Sequence, residues 1–332
     1  MPPFVSVIIP CYNERPTIRN LLEAVSAQTY PHPRMEVMIA DGLSTDGTRD
    51  EIAKFVTSHP DLTVQVLDNP RRIIPSALNI ALKNARGEVF LRLDGHSQPY
   101  PDYVQRCVED LEMNLGDNVG GIWEIRPGSP TWIAASISAA ASHPLGVGDA
   151  YYRFAVRPGL VDTVPFGAFR RELLATVGFF NENLLTNEDY EFNARIRKAG
   201  GKVWLDPAIR SIYFARTTLR GLGRQYARYG FWKWRMLHLF PHTLRWRQLL
   251  PPLFVTSLVL FAILAVFFPL FRIFLGLEIL VYWLILTMAG LLDSLVRKRI
   301  SLAVGLPLAI SVMHISWGAG FLWSMIKGSK AA

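Results

Sequence analysis

The sequence predicts an α/β catalytic domain with a doubly wound sheet, followed by a membrane-inserted C-terminal region. Two observations lead to this prediction. Short apolar segments alternate with amphipathic helical segments over residues 5–93, which is the pattern of a parallel sheet with helical crossovers. Beyond Leu249 the chain consists mostly of Leu, Ile, Val, Phe and Ala. The 332 residues are enough for one large domain or two.

Four apolar segments are predicted to be strands, with helices between them. Residues 5–10 form a continuous apolar run, typical of a strand buried on both faces of a parallel sheet. The other predicted strands are 35–40, 62–67 and 89–93, and the predicted helices are 15–28, 47–57 and 74–84.

Polar side chains follow three of these strands directly. In open α/β sheets, ligands bind beyond the carboxyl ends of the strands, so we expect these side chains to line one crevice. Each is also an ordinary turn or helix-capping residue, but together they indicate a polar, phosphorylated ligand. They are Tyr12, Asn13 and Glu14 after the first strand, Asp41 after the second, and Asp94, His96 and Gln98 after the fourth.

Residues 94–98 predict a divalent-cation site. The sequence has no Gly-x-Gly-x-x-Gly or P-loop motif, so we expect a cation bridging two phosphates to hold the ligand. Asp94, His96 and Gln98 alternate along the chain and offer a carboxylate, an imidazole and an amide. Because imidazole is softer than carboxylate, Mn²⁺ is expected at least as readily as Mg²⁺.

Residues 184–197 begin with a cluster of acidic side chains. Thr186 is the predicted helix N-cap, with Asp189 at the partner position of a capping box. Glu188, Asp189 and Glu191 then fall in the first turn. They either stabilise the helix dipole, by less than about 1 kcal/mol each, or include a catalytic carboxylate. The residues alone leave both interpretations open.

A basic amphipathic helix is predicted over residues 217–236. Such a helix, rich in aromatic residues, typically lies in a membrane interface, although a solvated basic face over a protein core has the same pattern. The apolar face carries Leu219, Leu222, Tyr226, Tyr229, Trp232 and Met236, and the basic stripe carries Arg220, Arg224, Arg228 and Arg235.

Three apolar stretches follow, at 253–271, 273–292 and 302–326. Each approaches the length of about 20 residues with which a helix crosses a bilayer, so three transmembrane helices are predicted rather than buried core helices. Glu278 lies within the second stretch, where an ionisable group is a functional candidate, unless it reaches the interface or pairs with Arg272.

The distribution of basic residues predicts the orientation. Two arginines precede the first stretch, a basic run occupies 297–299, and Arg272 alone lies between the first two stretches. The positive-inside rule therefore places residues 1–245 and the 297–299 loop in the cytoplasm and the C-terminus on the far side. Lys327 and Lys330 weigh against this orientation without reversing it.

The overall composition excludes several classes of protein. A net charge of +8 suits an anionic membrane surface. No helix-turn-helix, zinc or RNA-binding signature supports a nucleic-acid partner. The two cysteines, Cys11 and Cys107, fit neither a disulfide framework nor a metal site. The first residues lack the pattern of a signal peptide, so none is expected.

Five segments resemble, in the right order, the motifs of family 2 nucleotide-sugar glycosyltransferases with a GT-A fold. The resemblance covers roughly residues 4–232. His96 replaces the second Asp of the family's Asp-x-Asp motif, and Tyr229 replaces the Trp of its Gln-x-x-Arg-Trp motif. The five segments are Pro-Cys-Tyr-Asn-Glu at 10–14, Asp-Gly-Leu-Ser-Thr-Asp-Gly-Thr at 41–48, Asp-Gly-His at 94–96, Asn-Glu-Asp at 187–189 and Gln-Tyr-Ala-Arg-Tyr at 225–229.

The resemblance implies a role for each matching residue. Asp189 would be the catalytic base, with Glu188 as a neighbour that orients or tunes it. Asp94 and His96 would hold the metal, with Gln98 as a third ligand. Residues Gln225, Arg228 and Tyr229 would serve the diphosphate or the acceptor. The residues implied around the nucleotide are Pro10, Tyr12, Glu14, Asp41, Asp94 and one of Arg71 and Arg72, of which we select Arg72.

Two further segments belong to the resemblance. Residues 166–171 resemble the acceptor side of the family, where small residues let a sugar approach the backbone, although a glycine turn before a helix has the same sequence. The Asp-Gly-His form, the Val-Asp-Thr-Val segment at 161–164 and the three C-terminal helices are most similar to bacterial exopolysaccharide glycosyltransferases of the succinoglycan type.

The implied activity is an inverting, metal-dependent transfer of a sugar from a nucleotide diphosphate sugar, expected to be a UDP-sugar. The acceptor would be a lipid-linked (polyprenyl) saccharide at the cytoplasmic face of the inner membrane, in exopolysaccharide synthesis. The alternatives are a polyprenyl phosphate sugar synthase and a non-catalytic membrane scaffold with a degenerate nucleotide-sugar domain. The predicted domains are 1–215 (catalytic), 216–248 (interface helices in contact with membrane lipids) and 249–332 (transmembrane).

Overall fold

The computed structural model describes residues 1–328, which form two compact units. The observed boundary after residue 213 lies close to the predicted end of the catalytic domain at 215. The prediction placed residues 125–153 in the catalytic domain, whereas in the structure they belong to the second unit. Residues 329–332, including Lys330, lie outside the described part. The first unit comprises 1–124 and 154–213, and the second comprises 125–153 and the chain from 214 onwards.

The described strands form one nine-stranded sheet. In chain order they are β1 (Val5–Cys11), β2 (Met35–Asp41), β3 (Thr63–Asp68), β4 (Val89–Arg92), β5 (Gln98–Pro99), β6 (Asn118–Pro127), β7 (Gly159–Leu160), β8 (Ala168–Arg170) and β9 (Val203–Ala215). Their order in the sheet is β3-β2-β1-β4-β8-β6-β9-β5, and β7 pairs with β9.

The sheet is mixed. Strands β3, β2, β1 and β4 are parallel, as predicted, and each begins and ends within one residue of its predicted bounds. Strand β8 is antiparallel to β4 and to β6, and β9 is antiparallel to β5 and to β7. The parallel sheet expected from the sequence is therefore only one part of the observed sheet.

The described helices occupy both units. They are α1 (Ile18–Ser26), α2 (Thr48–Ser58), α3 (Ile74–Asn84), α4 (Tyr103–Glu112), α5 (Trp132–Ala141), α6 (Pro144–Val147), α7 (Leu173–Val177), α8 (Glu188–Lys198), α9 (Leu219–Leu239), α10 (Trp246–Phe267), α11 (Pro269–Val296) and α12 (Leu302–Lys327).

The core of the first unit is built around β1 and β2. Every residue of these two strands is buried, as expected for central strands covered on both faces. Pro10 is tolerated in such a strand because the pairing of β1 with β4 ends at Ile8. Helix α1 packs on this core through the predicted stripe of apolar side chains, Ile18, Leu21, Leu22 and Val25.

Helices α9 and α12 of the second unit approach each other unusually closely. A Cβ atom added at Gly230 would lie 2.1 Å from the carbonyl oxygen of Trp317, and one added at Gly320 would lie 2.1 Å from that of Ala227. Small residues allow such contacts between helix backbones. The predicted apolar face of α9 is confirmed in part, since Leu222, Tyr226, Trp232 and Met236 are buried.

Helices α10, α11 and α12 are each long and apolar enough to cross a membrane. The Phe254 and Tyr282 rings stack between α10 and α11 with centroids 4.4 Å apart. Glu278 accepts a hydrogen bond from Ser257, whereas Arg272 donates to the Ala265 carbonyl oxygen. The sequence alternative of a Glu278–Arg272 pair is therefore not observed.

Candidate active site

The polar segments that follow β1 and β2 are in direct contact. The Asn13 amide donates to Ser44 Oγ at 2.8 Å, and the Thr45 amide donates to Asn13 Oδ1 at 3.0 Å. The Glu14 amide donates to Thr48 Oγ1 at 2.9 Å. These bonds close the two loops onto one another at the carboxyl ends of neighbouring parallel strands, where a crevice was expected.

Asp41 is fully buried at the end of β2. Its carboxylate accepts hydrogen bonds from the Ser44 amide at 3.0 Å and from Arg49 Nε at 2.5 Å. Arg49 also pairs with Asp68 at 2.6 Å, which ties the end of β2 to the end of β3. Asp41 therefore fixes the shape of the 41–48 loop through donors of its own chain.

Tyr12 and Arg72 are two exposed side chains that lie against each other beside this loop. The Tyr12 side chain is half-exposed, and the Arg72 guanidinium lies 5.7 Å from the centre of its ring, within cation–π range. Arg71 instead forms an ion pair with Glu182. Of the two arginines that the sequence left open, the structure places Arg72 against a predicted nucleotide residue.

The segment after β4 turns tightly. The Asp94 carbonyl oxygen accepts hydrogen bonds from the Ser97 amide at 2.9 Å and from Ser97 Oγ at 2.8 Å. His96 projects from this turn and places Nδ1 3.2 Å from Glu14 Oε1. Gln98 begins β5 and pairs with Ile212 of β9. The loops after β1 and β4 therefore meet through Glu14 and His96.

The side chains around this turn suit a cation that takes some of its ligands from the protein and the others from a phosphate. Within residues 1–328, no three His, Cys, Asp or Glu side chains are grouped so as to hold a metal ion by themselves. Mg²⁺ and similar ions in transferase sites commonly take one or two protein ligands and complete their shell with phosphate oxygens and water. Asp94 and His96 match that smaller requirement in number, and the Asp94 carboxylate is a ligand type that suits Mg²⁺ and Mn²⁺.

Helix α8 begins at Glu188, but its N-cap differs from the prediction. Asn187 occupies the cap with a left-handed φ of 69°, and its side chain makes no capping hydrogen bond. Thr186 Oγ1 instead donates to the Leu185 carbonyl oxygen at 2.7 Å, so the predicted Thr186 cap and its capping box are wrong. The reason is the left-handed turn at Asn187, a conformation that Asn adopts more readily than most residues.

Asp189 has the properties of a proton acceptor. Burial and the nearby charge of Glu188 raise the pKa of Asp189 to about 6, while Arg92 acts in the opposite direction. A carboxylate with a pKa near the working pH is effective in general base catalysis. Its Oδ1 accepts a hydrogen bond from the Tyr190 amide at 2.7 Å, which restrains the side chain at the start of α8.

Arg92 joins the two halves of this site and was missed by the sequence analysis. Its Nε donates to Asp94 Oδ1 at 3.0 Å, and a terminal nitrogen donates to Glu188 Oε1 at 2.8 Å. Burial opposes its charge, but Asp94 and Glu188 outweigh that effect and raise the pKa of the guanidinium. The available signal was an arginine between Leu91 and Leu93 in a buried strand, because a buried charge requires partners.

The Val-Asp-Thr-Val segment supports α8 from one side. Asp162 accepts a hydrogen bond from the Tyr190 hydroxyl at 3.0 Å, and Thr163 Oγ1 accepts one from Asn193 Nδ2 at 3.0 Å. Asn193 in turn accepts a hydrogen bond from Asn118 at 2.7 Å. The segment that suggested the subgroup therefore holds the helix that carries Asp189.

Gly167 has a packing role. A Cβ atom at this position would lie 2.3 Å from Asn118 Oδ1, so a side chain here would displace Asn118. The Gly167 carbonyl oxygen also accepts a hydrogen bond from the Arg92 amide at 3.1 Å. These contacts explain the glycine without an approaching sugar.

The Gln-x-x-Arg-Tyr motif lies on α9 in the second unit. Gln225 Nε2 donates to the Tyr229 hydroxyl at 2.8 Å, and the Tyr226 and Tyr229 rings meet edge to face. The Arg228 side chain is exposed. The three predicted residues are thus neighbours on one helix.

A mixed sheet flanked by helices, with acidic side chains at the ends of its parallel strands, is the arrangement expected of a GT-A-type protein. Residues 6–178 match the family described as "Glycosyl transferase family 2". The chain belongs to this family and is a glycosyltransferase by the curated names of its full-length relatives.

Two relatives match almost the whole chain. A dolichyl N-acetyl-alpha-D-glucosaminyl phosphate 3-beta-D-2,3-diacetamido-2,3-dideoxy-beta-D-glucuronosyltransferase of Methanococcus voltae is 29% identical over 98% of each chain. The succinoglycan biosynthesis protein ExoA of Rhizobium meliloti is 30% identical, over 95% of this chain and 93% of the relative.

A solved structure has the same fold. The mannosyltransferase PcManGT of Pyrobaculum calidifontis, in complex with GDP-Man and Mn²⁺, superposes with a TM-score of 0.66. The alignment covers 98% of this chain and 88% of that structure, at 20% identity. The predicted GT-A architecture is confirmed by this similarity.

Proposed function

We propose that this chain transfers a sugar from a nucleotide diphosphate sugar to a hydroxyl group of a lipid-linked saccharide, with inversion at the anomeric carbon. One observation carries the proposal. Asp189, with its raised pKa, begins the helix whose neighbouring residue Glu188 is bridged by Arg92 to Asp94 at the end of a parallel strand. A proton acceptor and a residue suited to the diphosphate are thereby linked through one guanidinium.

Asp189 acts as the general base on the acceptor. A sugar hydroxyl is a poor nucleophile at neutral pH, and a carboxylate with a pKa near 6 accepts its proton as the new glycosidic bond forms. The hydroxyl oxygen attacks the anomeric carbon from the side opposite the diphosphate, so a single displacement inverts the configuration. Glu188 raises the pKa of Asp189 and so tunes the base.

The donor nucleotide, for which we propose UDP, occupies the loops after β1, β2 and β4. Asp94 and His96 would hold Mn²⁺ or Mg²⁺, with Gln98 as a third ligand. When bound, this cation neutralises charge on the diphosphate. The proposed nucleotide residues are Pro10, Tyr12, Glu14, Asp41, Arg72 and Asp94, of which Tyr12 and Arg72 offer an exposed aromatic ring and a cation.

A lipid-linked acceptor is supported by the long apolar helices and by the dolichyl phosphate sugar in the name of one full-length relative. Gln225, Arg228 and Tyr229 are proposed to contact the lipid phosphate or the diphosphate. The basic residues that flank the apolar helices support a cytoplasmic catalytic unit at the inner membrane.

A transfer assay with the full chain in nanodiscs tests the proposal. UDP- and GDP-sugars are screened as donors against polyprenyl diphosphate saccharides, and the product anomer is read by NMR. We expect one donor to yield an inverted, lipid-linked product. Asp94→Ala should abolish transfer, whereas Asp50→Ala, at an exposed position on α2, should not.

Two outcomes would contradict this assignment. A product formed on polyprenyl phosphate itself, with no extension of a saccharide, would identify a polyprenyl phosphate sugar synthase. Failure of UDP with Mn²⁺ to bind in calorimetry, together with no transfer from any donor, would identify a non-catalytic scaffold.

The orientation is tested by labelling. Cys11 and Cys107 are buried, so a cysteine at the exposed Ser58 gives a clean target. A membrane-impermeant maleimide should label Ser58→Cys in inverted inner-membrane vesicles and not in intact spheroplasts. Labelling in spheroplasts alone would place the catalytic unit outside the cytoplasm.

A further inference from the structure

Arg92 is a cation inside the first unit, with only 7% of its side chain exposed. Burying a guanidinium carries a desolvation cost of several kcal/mol that only well-placed partners offset. An apolar side chain would fill a strand position between Leu91 and Leu93 without that cost. The arginine therefore calls for an explanation beyond packing.

Its two partners come from separate parts of the chain. Asp94 lies two residues after Arg92, in the turn that carries His96, whereas Glu188 is the first residue of α8, 96 positions after Arg92. Both contacts are short, at 3.0 Å to Asp94 Oδ1 and 2.8 Å to Glu188 Oε1. One planar group thus sets the positions of two carboxylates.

The way Arg92 meets Asp94 leaves a defined part of that carboxylate available. Both Nε and a terminal nitrogen lie 3.0 Å from the same oxygen, Oδ1. The other oxygen, Oδ2, is then the one that can meet a cation on the diphosphate. The planar guanidinium keeps its nitrogens in fixed relative positions, which a lysine ammonium, as a point charge, does not.

The guanidinium is also incompletely satisfied. Its remaining terminal nitrogen is buried and has no hydrogen-bond partner among the described residues. Buried donors in this condition are rare, and each costs about 1–3 kcal/mol. A group selected for stability alone would not be expected to retain this cost.

We propose that Arg92 is a positioning residue that fixes Asp94 and Glu188 relative to each other. The donor diphosphate and the acceptor hydroxyl are thereby held at the distance that the reaction requires. This inference rests on the proposed function. Arg92 acts through its two partners: Asp94 is oriented toward the donor, and Glu188 is held beside the base Asp189. Without the guanidinium, the carboxylates of Asp94, Glu188 and Asp189 would repel one another with no cation to compensate their charge.

Arg195 provides a matched control. It lies on α8, the helix that begins with Glu188, and its guanidinium pairs with the buried Glu191 at 2.8 Å. It also donates to the Phe179 carbonyl oxygen at 2.8 Å. It therefore resembles Arg92 in structural role but contacts neither Asp94 nor Glu188.

The test compares Arg92→Lys with Arg195→Lys in the full chain. Thermal unfolding measures stability, and kcat and the donor KM measure transfer. Binding of Mn²⁺ in the presence of UDP is measured separately by electron paramagnetic resonance of the free ion. That last measurement does not depend on turnover.

Arg92→Lys should lower kcat by about 10²-fold, the size of effect that a misplacement of about 1 Å produces. It should also weaken Mn²⁺ binding with UDP by about tenfold or more, because Asp94 loses the partner that orients it. Arg195→Lys should leave kcat and Mn²⁺ binding within about threefold of the wild type, even if its melting temperature falls as far as that of Arg92→Lys.

Three results decide the matter. Wild-type Mn²⁺ binding and kcat in Arg92→Lys would overturn the positioning role while leaving the proposed function intact. Absence of Mn²⁺–UDP binding and transfer in the wild type would overturn the proposed function itself. If Arg92→Lys fails to fold, the double variant Arg92→Met/Glu188→Gln is used instead, because it removes the charges of Arg92 and Glu188 together. Mn²⁺ binding equal to that of the wild type in this double variant would overturn the proposal.

Discussion

Different kinds of contact stand out inside each of the two units of this chain. In the first, charged side chains are buried with specific partners: Asp41 with Arg49, and Arg92 with Asp94 and Glu188. In the second, α9 and α12 meet through glycines. Most large apolar side chains of α10 and α11 are exposed, as expected of helices that face lipid.

This difference determines what a substitution does in each unit. A buried charge needs a partner in one geometry, so replacing a member of the first unit's network changes chemistry as well as stability. A backbone contact through glycine carries no chemistry, but it leaves no room for an added atom. Substitutions at the glycines between α9 and α12 should therefore act on stability first.

The largest expected effect tests the chemistry of the first unit. Asp189→Asn removes the proton acceptor while keeping the shape of the side chain. We expect kcat to fall by about 10²–10⁴-fold, since that is what a general base contributes. Steady-state transfer by Asp189→Asn and by the exposed control Asp50→Asn measures the effect. Near-normal turnover would instead favour a polyprenyl phosphate acceptor, which is already an anion.

The next effect tests the packing of the second unit. Gly230→Leu places a side chain where the Trp317 carbonyl oxygen lies, so α9 and α12 must separate. Overpacking of this kind costs about 3 kcal/mol. The matched control is Gly276→Leu on α11, where no atom lies within 4 Å of the added Cβ. Equal melting temperatures for the two variants in detergent would show that the glycine contact is not tight.

A smaller effect is expected in the first unit, at the buried and uncharged side chain of Asn193. Asn193→Ala leaves Thr163 and Asn118 without their shared partner, at a cost of about 1–3 kcal/mol. Asn84→Ala, at an exposed position on α3, should change stability by less than about 0.5 kcal/mol. Thermal unfolding compares the two variants, and a stable Asn193→Ala protein would argue against the network.

The smallest effect is a pH dependence. The pKa of Asp189 is raised to about 6, and the base works only when deprotonated. We therefore expect kcat/KM to be constant above that pH and to fall about tenfold per pH unit below it. Rates measured from pH 5 to 8 give the profile. Asp189→Asn should lack this decline, and a wild-type profile that rises toward low pH would contradict the assignment.

The elements with a clear hydrophobic pattern were predictable, and those without one were not. Strands β1 to β4 and the buried face of α1 follow from runs and periodicities of apolar residues. Strands β5, β7 and β8 have two or three residues each, too few to show a period, so they were missed. The longer antiparallel strands β6 and β9 were missed as well. The N-cap of α8 was misplaced because a left-handed Asn187 has no counterpart in the capping-box pattern.

Most of the candidate site was also visible in the sequence, but not its connections. Asp94, His96 and Asp189 were predicted from their motifs, whereas the contact of Glu14 with His96 and the bridge through Arg92 appear only in three dimensions. The pKa of Asp189 likewise depends on burial and on the charge of Arg92, neither of which can be assigned from spacing along the chain.

By itself, the sequence determined the alternation of strands and helices, the long apolar helices and the residue types available for chemistry. Local patterns encode these features because each depends on residues a few positions apart. The tertiary structure decided which charges face one another, as Arg92 and Glu188 do across 96 positions. The physical reason is that electrostatic energy depends on distance in space and on burial, and the folded chain alone defines both.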